Sequence, residues 1–318
     1  MTRQTREIDG APGAGGTAEI LGARTNTEAA PAYLAEIQRL NLAGHAEELD
    51  RLGYTVVPPE AVRLRPGLLD ELVAAVLRVA AERTGVQHAL NRPGDRGRYH
   101  VQVSAQDHYV LFYLLFEDPA FEEWIENPVL RALMGHAMGG PAYLSNLSAF
   151  VKWHGSGYGS GLGIHSDSPA AADGRISDVP LVCNSHLLLT DYTERDGALA
   201  VVPGSHHLRR QPCPGEGLAD AIAIQAPAGS LVFWAGPLWH GAYPRQTPGL
   251  RLNLTTFFCH RAMQTQERYG RAVPGEMLAR HDRSFAQLLG LDRIADFGAE
   301  GPDIRRAVAF TPFDELFR

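Results

Sequence analysis

Four residues of this 318-residue chain have the types and spacing to hold a metal ion beside a carboxylate ligand. His165 and Asp167 stand two apart in GIHSDSPA. On an extended strand both side chains leave the same face, roughly 6 to 7 Å apart along the backbone. An imidazole and a carboxylate so placed can reach one ion, and a third ligand would complete one face of an octahedral site, leaving positions open for small molecules. Of the other histidines, His240 is the best placed, at the end of the apolar run in GSLVFWAGPLWHGAYP and before a Gly/Pro turn. Eleven residues on comes Arg251, in LRLNLTTFF, where Leu250, Leu252 and Leu254 alternate with Arg251, Asn253 and Thr255. The arginine therefore belongs to the polar face of a strand. There its guanidinium can grip a carboxylate through two parallel hydrogen bonds, a geometry lysine cannot match.

Short strands must position these residues. From Tyr143 onward the chain breaks into apolar or alternating runs separated by Gly, Pro, Asp and Ser. AYLSNLSAFVKW, VPLVCNSHLLLTDY, GALAVVPG, AIAIQAP, GSLVFWAG and LRLNLTTFFCH are six predicted strands between residues 142 and 260. With no helices alternating between them, they call for an antiparallel sandwich or barrel. Upstream, AAPAYLAEIQRLNLAGHAEELDRLGY has helical spacing, GYTVVPPE is a short strand closed by prolines, and PGLLDELVAAVLRVAAERTG is an amphipathic helix between proline and glycine signals. HVQVSAQDHYVLFYLLFEDPAFEEWIENPVLRALMGHAM is predicted helical in at least two segments, interrupted at Asp118-Pro119 and Asn127-Pro128. GEMLARHDRSFAQLLGLDRIADFG returns to helical periodicity. The expected organisation is a mobile leader over 1–28 and a single domain over 29–318. That domain has a helix-rich 29–141, a β core over 142–260 and a helical 261–318.

Bulk properties narrow the function classes. Hydrophobic residues make up 45% and charged residues 20%, so the chain can bury a large core. A net charge of -7 with no basic stripe argues against nucleic acid or an anionic membrane as partner. The 3 cysteines, Cys183, Cys213 and Cys259, show no CxxC spacing, which excludes a disulfide framework and points to a reducing compartment. The N-terminus lacks the apolar run of a signal peptide, and the expected location is the cytoplasm. Lys152 is the one lysine among 29 basic residues.

Taken in order, HSD at 165–167, DGALAVVPGSHH at 196–207 and WHGAYPRQTPGLR at 239–251 resemble the phytanoyl-CoA dioxygenase family of Fe(II)- and 2-oxoglutarate-dependent oxygenases. The likeness covers about residues 142–260, with an echo of the family's N-terminal entry in LDRLGYTVVPPE. It implies a mainly β fold with flanking helices, a double-stranded β-helix (jelly-roll, cupin-like) core. It also implies His165, Asp167 and His240 as iron ligands, and Arg251 on the far carboxylate of 2-oxoglutarate. The activity implied is oxidation, chiefly hydroxylation, of an aliphatic C–H bond in a small-molecule metabolite, using O2 and releasing succinate and CO2. Halogenating relatives carry a small residue at the carboxylate position, so Asp167 favours oxygen transfer. Relatives often have Ser two residues after the distal histidine, where this chain has Ala242. A role in tailoring a biosynthetic intermediate fits the resemblance. The reading from another class is a cupin-like protein that binds a metal or small molecule without turnover.

Several further residues are candidates on weaker grounds. Lys152, thirteen residues before His165, is placed to meet the near carboxylate of 2-oxoglutarate, and Asn146 shares its strand register. His154, Tyr158 and His186 are candidate substrate contacts, although a loop histidine and a satisfied core histidine are the simpler readings of His154 and His186. Trp234, Trp239 and Phe233 read as core, and His206 and His207 in VPGSHH as fold-defining beside the Pro203-Gly204 turn.

Overall fold

The computed structural model describes residues 29–99 and 108–292; the expected leader over 1–28 and the last residues of the C-terminal helical stretch lie outside them. Nine strands form two antiparallel sheets among the described residues. They are β1 (Tyr54–Val57), β2 (His108–Leu111), β3 (Ala142–Lys152), β4 (Val182–Leu188), β5 (Leu199–Val201), β6 (Ile222–Ala223), β7 (Leu231–Ala235), β8 (His240–Ala242) and β9 (Arg251–His260). The larger sheet runs β1-β7-β4-β9-β3-β2 and the smaller β6-β5-β8. All six predicted strands between 142 and 260 are present, and β1 matches the predicted GYTVVPPE strand.

The period-2 alternation of these strands decides which side meets what. Leu252, Leu254 and Phe258 of β9, Leu147, Ala149 and Val151 of β3, and Leu231 and Phe233 of β7 join one core cluster with the helices, running from Ile37 to Leu289. The opposite face of the large sheet meets the small sheet. There Leu188, Val232 and Trp234 pack with Leu199 and Val201 of β5. Side chains on the inner faces of both sheets thus converge, and the polar half of β9 points between them.

The helices follow their local signals. Helix Leu68–Thr84 buries Leu68, Leu72, Ala75, Val76, Val79 and Ala80 on one stripe and ends at Gly85, left-handed at φ 77°. Each fully buried leucine stabilises the fold by roughly 1.5–3 kcal/mol. The two X-Pro steps turn out to start helices. Asp118 accepts a hydrogen bond from Ala120 N at the head of Pro119–Ile125, and Asn127 accepts from Val129 N and Leu130 N at the head of Pro128–Met138. The helical reading of the segment before them fails at His108–Leu111, which is β2 and pairs with β3 over His108↔Lys152 to Leu111↔Ala149. HYVL is a short, bulky run of one histidine and three largely apolar residues that periodicity cannot assign, and pairing along the edge of β3 decides it.

Gly53, in the GY pair that enters β1, has φ 84°, and a Cβ there would lie 2.6 Å from His206 Nδ1. His206 Nε2–H donates to Asp50 O at 3.0 Å. The VPGSHH turn is therefore a structural clasp on the end of helix Ala43–Leu52, as its sequence suggested. Among the described residues no helix is long and apolar enough to cross a membrane.

Candidate metal centre

His240 opens β8, where it is the register partner of Val201 of β5, and on its other side its backbone forms a single bridge to His165: His165 N donates to His240 O at 2.9 Å and His240 N to His165 O at 2.8 Å. The expectation that His165 and Asp167 ride a regular strand is corrected here. Pairing stops after that single bridge and Asp167 sits in a bend. On the facing chain Leu238 N, which a continued ladder would use, donates instead to Ala235 O at 3.0 Å. The two side chains still converge. His165 Nε2 lies 3.6 Å from Asp167 Oδ1 and His240 Nε2 lies 3.5 Å from Asp167 Oδ2. One ligand atom from each residue falls within 4.8 Å of the others.

The protein sets the tautomer of both rings. His165 Nδ1–H donates to Gly163 O at 2.7 Å and His240 Nδ1–H to Leu238 O at 3.0 Å, so both Nε2 lone pairs face Asp167. A backbone carbonyl on the far nitrogen is the usual support of a metal-binding histidine. Asp167 is held as firmly: Oδ2 accepts from Asn184 Nδ2 at 3.0 Å and Trp234 Nε1 at 3.2 Å. Burial pushes the Asp167 carboxyl up, but the neighbouring His240 and His165 and the Asn184 bond outweigh it and hold it well below the usual carboxylate range. The His240 side chain is 6% exposed and that of His165 55%, so the centre opens on the His165 side.

A pocket of about 160 Å³ runs inward from these ligands, walled by Phe150, Tyr158, Asn184, Leu199 and Trp234 and floored by Lys152, Arg251, His186 and Thr255. Arg251 is 1% exposed. Its Nη2 donates to Tyr192 Oη and, at 2.9 Å, to Asn253 Oδ1, while Nε and Nη1 have no partner. The guanidinium lies 4.2 Å from the Tyr192 ring centre. Burial raises the Tyr192 hydroxyl pKa to about 12, so it meets Arg251 as a neutral group.

Lys152 and Arg251 are register partners on β3 and β9, and His108 of β2 is the partner of Lys152 on its other side. Three basic side chains thus form a row across three strands. Lys152 is 2% exposed, 5.2 Å from the Tyr158 ring centre and 5.6 Å from that of Phe150. Burial, then Arg251, pulls its ammonium well below the usual lysine range. Burial, then Lys152 and Arg251, lowers His108 to about 3. Like charges in directly opposed positions repel, and among the described residues no carboxylate pairs with either cation.

The expected site residues divide accordingly. His165, Asp167, His240, Arg251, Lys152, Tyr158 and His186 meet at the pocket. His186 stands edge-on to Trp234 at 4.9 Å, with Nδ1 unpartnered, rather than as a satisfied core histidine. Lys152, 2% exposed, sits opposite Arg251 at the deep end of the pocket. Asn146 shares the inward face of β3 but lies beyond the pocket, where its Nδ2 donates to Gln266 Oε1 at 2.8 Å and its Oδ1 accepts from Ser148. It stands four positions from Phe150, roughly 13 Å along the strand. His154 lies in an exposed turn outside the lining. Asn184, Trp234 and Tyr192 were not foreseen as site residues. The available signal was the inward register of Asn184 and Trp234, which are direct partners on β4 and β7.

Comparison with known proteins supplies a context for this geometry. The family model described as "Phytanoyl-CoA dioxygenase (PhyH)" matches residues 49–253. Two curated relatives, "Uncharacterized protein Mb1539" of Mycobacterium bovis and "Uncharacterized protein Rv1501" of Mycobacterium tuberculosis, are each 27% identical over 186 residues. The match spans 57% of this chain and 66% of each relative, just under two thirds of their length. Among solved structures, the alpha-ketoglutarate dependent carbocyclase SnoK from nogalamycin biosynthesis is similar at TM-score 0.52 and 17% identity, over 76% of this chain and 90% of SnoK. HygX from Streptomyces hygroscopicus, with nickel and 2-oxoglutarate bound, gives 0.53 at 13% identity, over 70% and 88%. The epimerase SnoN, in complex with Fe3+, alpha ketoglutarate and nogalamycin RO, gives 0.51 at 20%, over 70% and 84%. At these identities the likeness is one of fold.

Proposed function

The chain belongs to the phytanoyl-CoA dioxygenase family, and from that premise we propose that it is an Fe(II)- and 2-oxoglutarate-dependent oxygenase acting on a C–H bond of a small-molecule metabolite. The observation that carries this is the pairing, in one pocket, of a His-Asp-His centre with a buried arginine whose Nε and Nη1 have no protein partner. The donor set suits a ferrous ion: two neutral imidazoles and one carboxylate, with open positions left for other ligands. The orphaned guanidinium edge suits a carboxylate, which accepts two parallel N–H bonds.

In this reading His165, Asp167 and His240 hold the ion and Arg251 binds the far carboxylate of 2-oxoglutarate. Lys152, on the facing strand, adds the second positive charge that a dianionic co-substrate calls for. When bound, iron and 2-oxoglutarate supply the oxidising power: O2 and the keto acid give succinate and CO2, with one oxygen atom left to oxidise the substrate. The chain's remaining work is positional. Asn184 and Trp234 keep one oxygen of Asp167 occupied, which fixes the carboxylate's orientation. Phe150, Tyr158 and Leu199 keep water from the pocket walls.

Hydroxylation is the outcome we favour, and Asp167 speaks against halogenation because the carboxylate fills the position a chloride would need. SnoK is a carbocyclase and SnoN an epimerase, so this fold also serves ring closure and epimerisation, and the substrate's reacting centre selects the outcome. A tailoring step in the biosynthesis of a small molecule fits both. The test has two stages. Anaerobic addition of Fe(II) and 2-oxoglutarate is expected to give a weak visible charge-transfer band. Succinate is then expected to form with O2 consumption, slowly without a substrate and faster with one. A metal-loaded protein giving neither band nor succinate would leave the cupin-like binding protein as the better reading.

A further inference from the structure

Two metal ligands ride on a segment that no sheet supports on its outer side. Between His165 and Asp167 the chain has one bridge, to His240, and beyond it only Ser168 N and Ser166 Oγ bonding to Gly236 O, at 3.2 and 2.9 Å. On the other side one side chain takes the place of a strand. Gln211 Oε1 accepts from Ser166 N at 3.0 Å, and Gln211 Nε2 donates to Ser166 O at 3.0 Å and Ser168 O at 2.9 Å. Donor and acceptor on the backbone of Ser166, the residue between the two ligands, are thus both satisfied by a single amide. Such groups are costly to leave unmet.

Gln211 is itself anchored beside the third ligand. Its neighbour Arg210 makes two bonds to Glu216, at 2.7 and 2.6 Å, and lies 4.9 Å from the ring centre of Trp239. Trp239, which precedes His240, donates Nε1–H to Arg210 O at 2.8 Å. One short segment therefore ties the chain carrying His165 and Asp167 to the chain carrying His240.

We propose that Gln211 is a positioning residue for the metal centre, its side-chain amide acting as a surrogate strand that fixes the His165–Asp167 spacing. This rests on the reading of the triad as a metal site. The test is calorimetric titration of the full metal-free chain with Mn(II), comparing wild type, Gln211→Ala and Gln211→Glu, alongside their metal-free melting temperatures. Loss of an outer-shell support lowers metal affinity by roughly 10- to 100-fold, and that loss is expected for Gln211→Ala. Melting should stay within about 4 °C of wild type, since the side chain is half-buried. Gln211→Glu keeps shape and the acceptor for Ser166 N–H but sets a carboxylate against two carbonyls. It should bind Mn(II) no better than the alanine variant, whereas a residue that merely packs would let glutamate bind like wild type. It also carries the test if the alanine variant does not fold. Affinity within twofold of wild type in the folded variants overturns the proposal. A wild-type chain that takes up no Mn(II) overturns the metal site itself, and this inference with it.

Discussion

At the metal end of the pocket, the ligand side chains are met by the protein: Gly163 O and Leu238 O take the two Nδ1–H groups, and Asn184 and Trp234 donate to Asp167 Oδ2. At the deep end Arg251 Nε and Nη1, both nitrogens of His108 and Nδ1 of His186 are buried without partners, around a lysine set directly opposite an arginine. Burying a polar group unpaired costs free energy, and burying two like charges costs more. The difference assigns the two ends different tasks. The metal end is preorganised to hold three ligands still, whereas the deep end sets unpartnered donors around two basic side chains, an arrangement that the proposed binding of a co-substrate carboxylate would relieve.

The largest effect expected is at the metal end. Asp167→Ala should abolish succinate formation and weaken Mn(II) binding by more than roughly 100-fold, beyond what loss of an outer-shell residue does. Titration calorimetry checks this, and retained binding would break the contrast at its root.

Next comes Arg251→Met, which removes two charge-assisted bonds at about 1.5–3 kcal/mol each. The 2-oxoglutarate requirement should rise at least roughly 100-fold while Mn(II) affinity stays near wild type. A parallel loss of metal affinity would show that the two ends are not separate.

Lys152→Met sharpens the strain argument, because it should weaken 2-oxoglutarate binding and yet stabilise the ligand-free chain by about 1 kcal/mol, a rise of about 2–4 °C in Tm. The same residue gives a pH signature. Its folded-state pKa is depressed below the ordinary 10.5, so through the interval between the two values the unfolded chain binds a proton that the native chain lacks. Wild-type stability should therefore rise with pH across that interval, and the slope should flatten in Lys152→Met. A wild-type profile without that rise would mean that the ammonium is not strained.

The smallest effects belong to Asn146→Ala and His154→Ala. Both residues lie outside the pocket lining, and the 2-oxoglutarate KM should stay within about twofold of wild type, as for other substitutions away from a site.

The triad and Arg251 were legible because their signal is local. An alternating leucine run states which side chains share a strand face, and an i,i+2 pair keeps two side chains close even where, as at His165 and Asp167, the chain bends instead of continuing as a strand. The same logic found six strands and marked both X-Pro steps. It failed at His108–Leu111, a four-residue stretch too short to show a period, whose structure depends on β3 being alongside. It also placed Asn146 correctly on the inward face yet could not measure its distance from the ligand. Trp234 read as core because its ring is buried; that its indole N–H reaches a carboxylate 67 residues away is a contact only the packed sheets create.

By itself, then, the sequence determined the antiparallel class, the polar inner faces and the four residues with the chemistry to bind a metal and a carboxylate. The tertiary structure decided that Lys152 faces Arg251 across β3 and β9, that Asn184 and Trp234 steady Asp167, and that Gln211 stands in for an absent strand. Periodicity along one strand is written in neighbouring letters. Register between strands, and the reach of a side chain from one sheet to the next, is set by how the whole core packs.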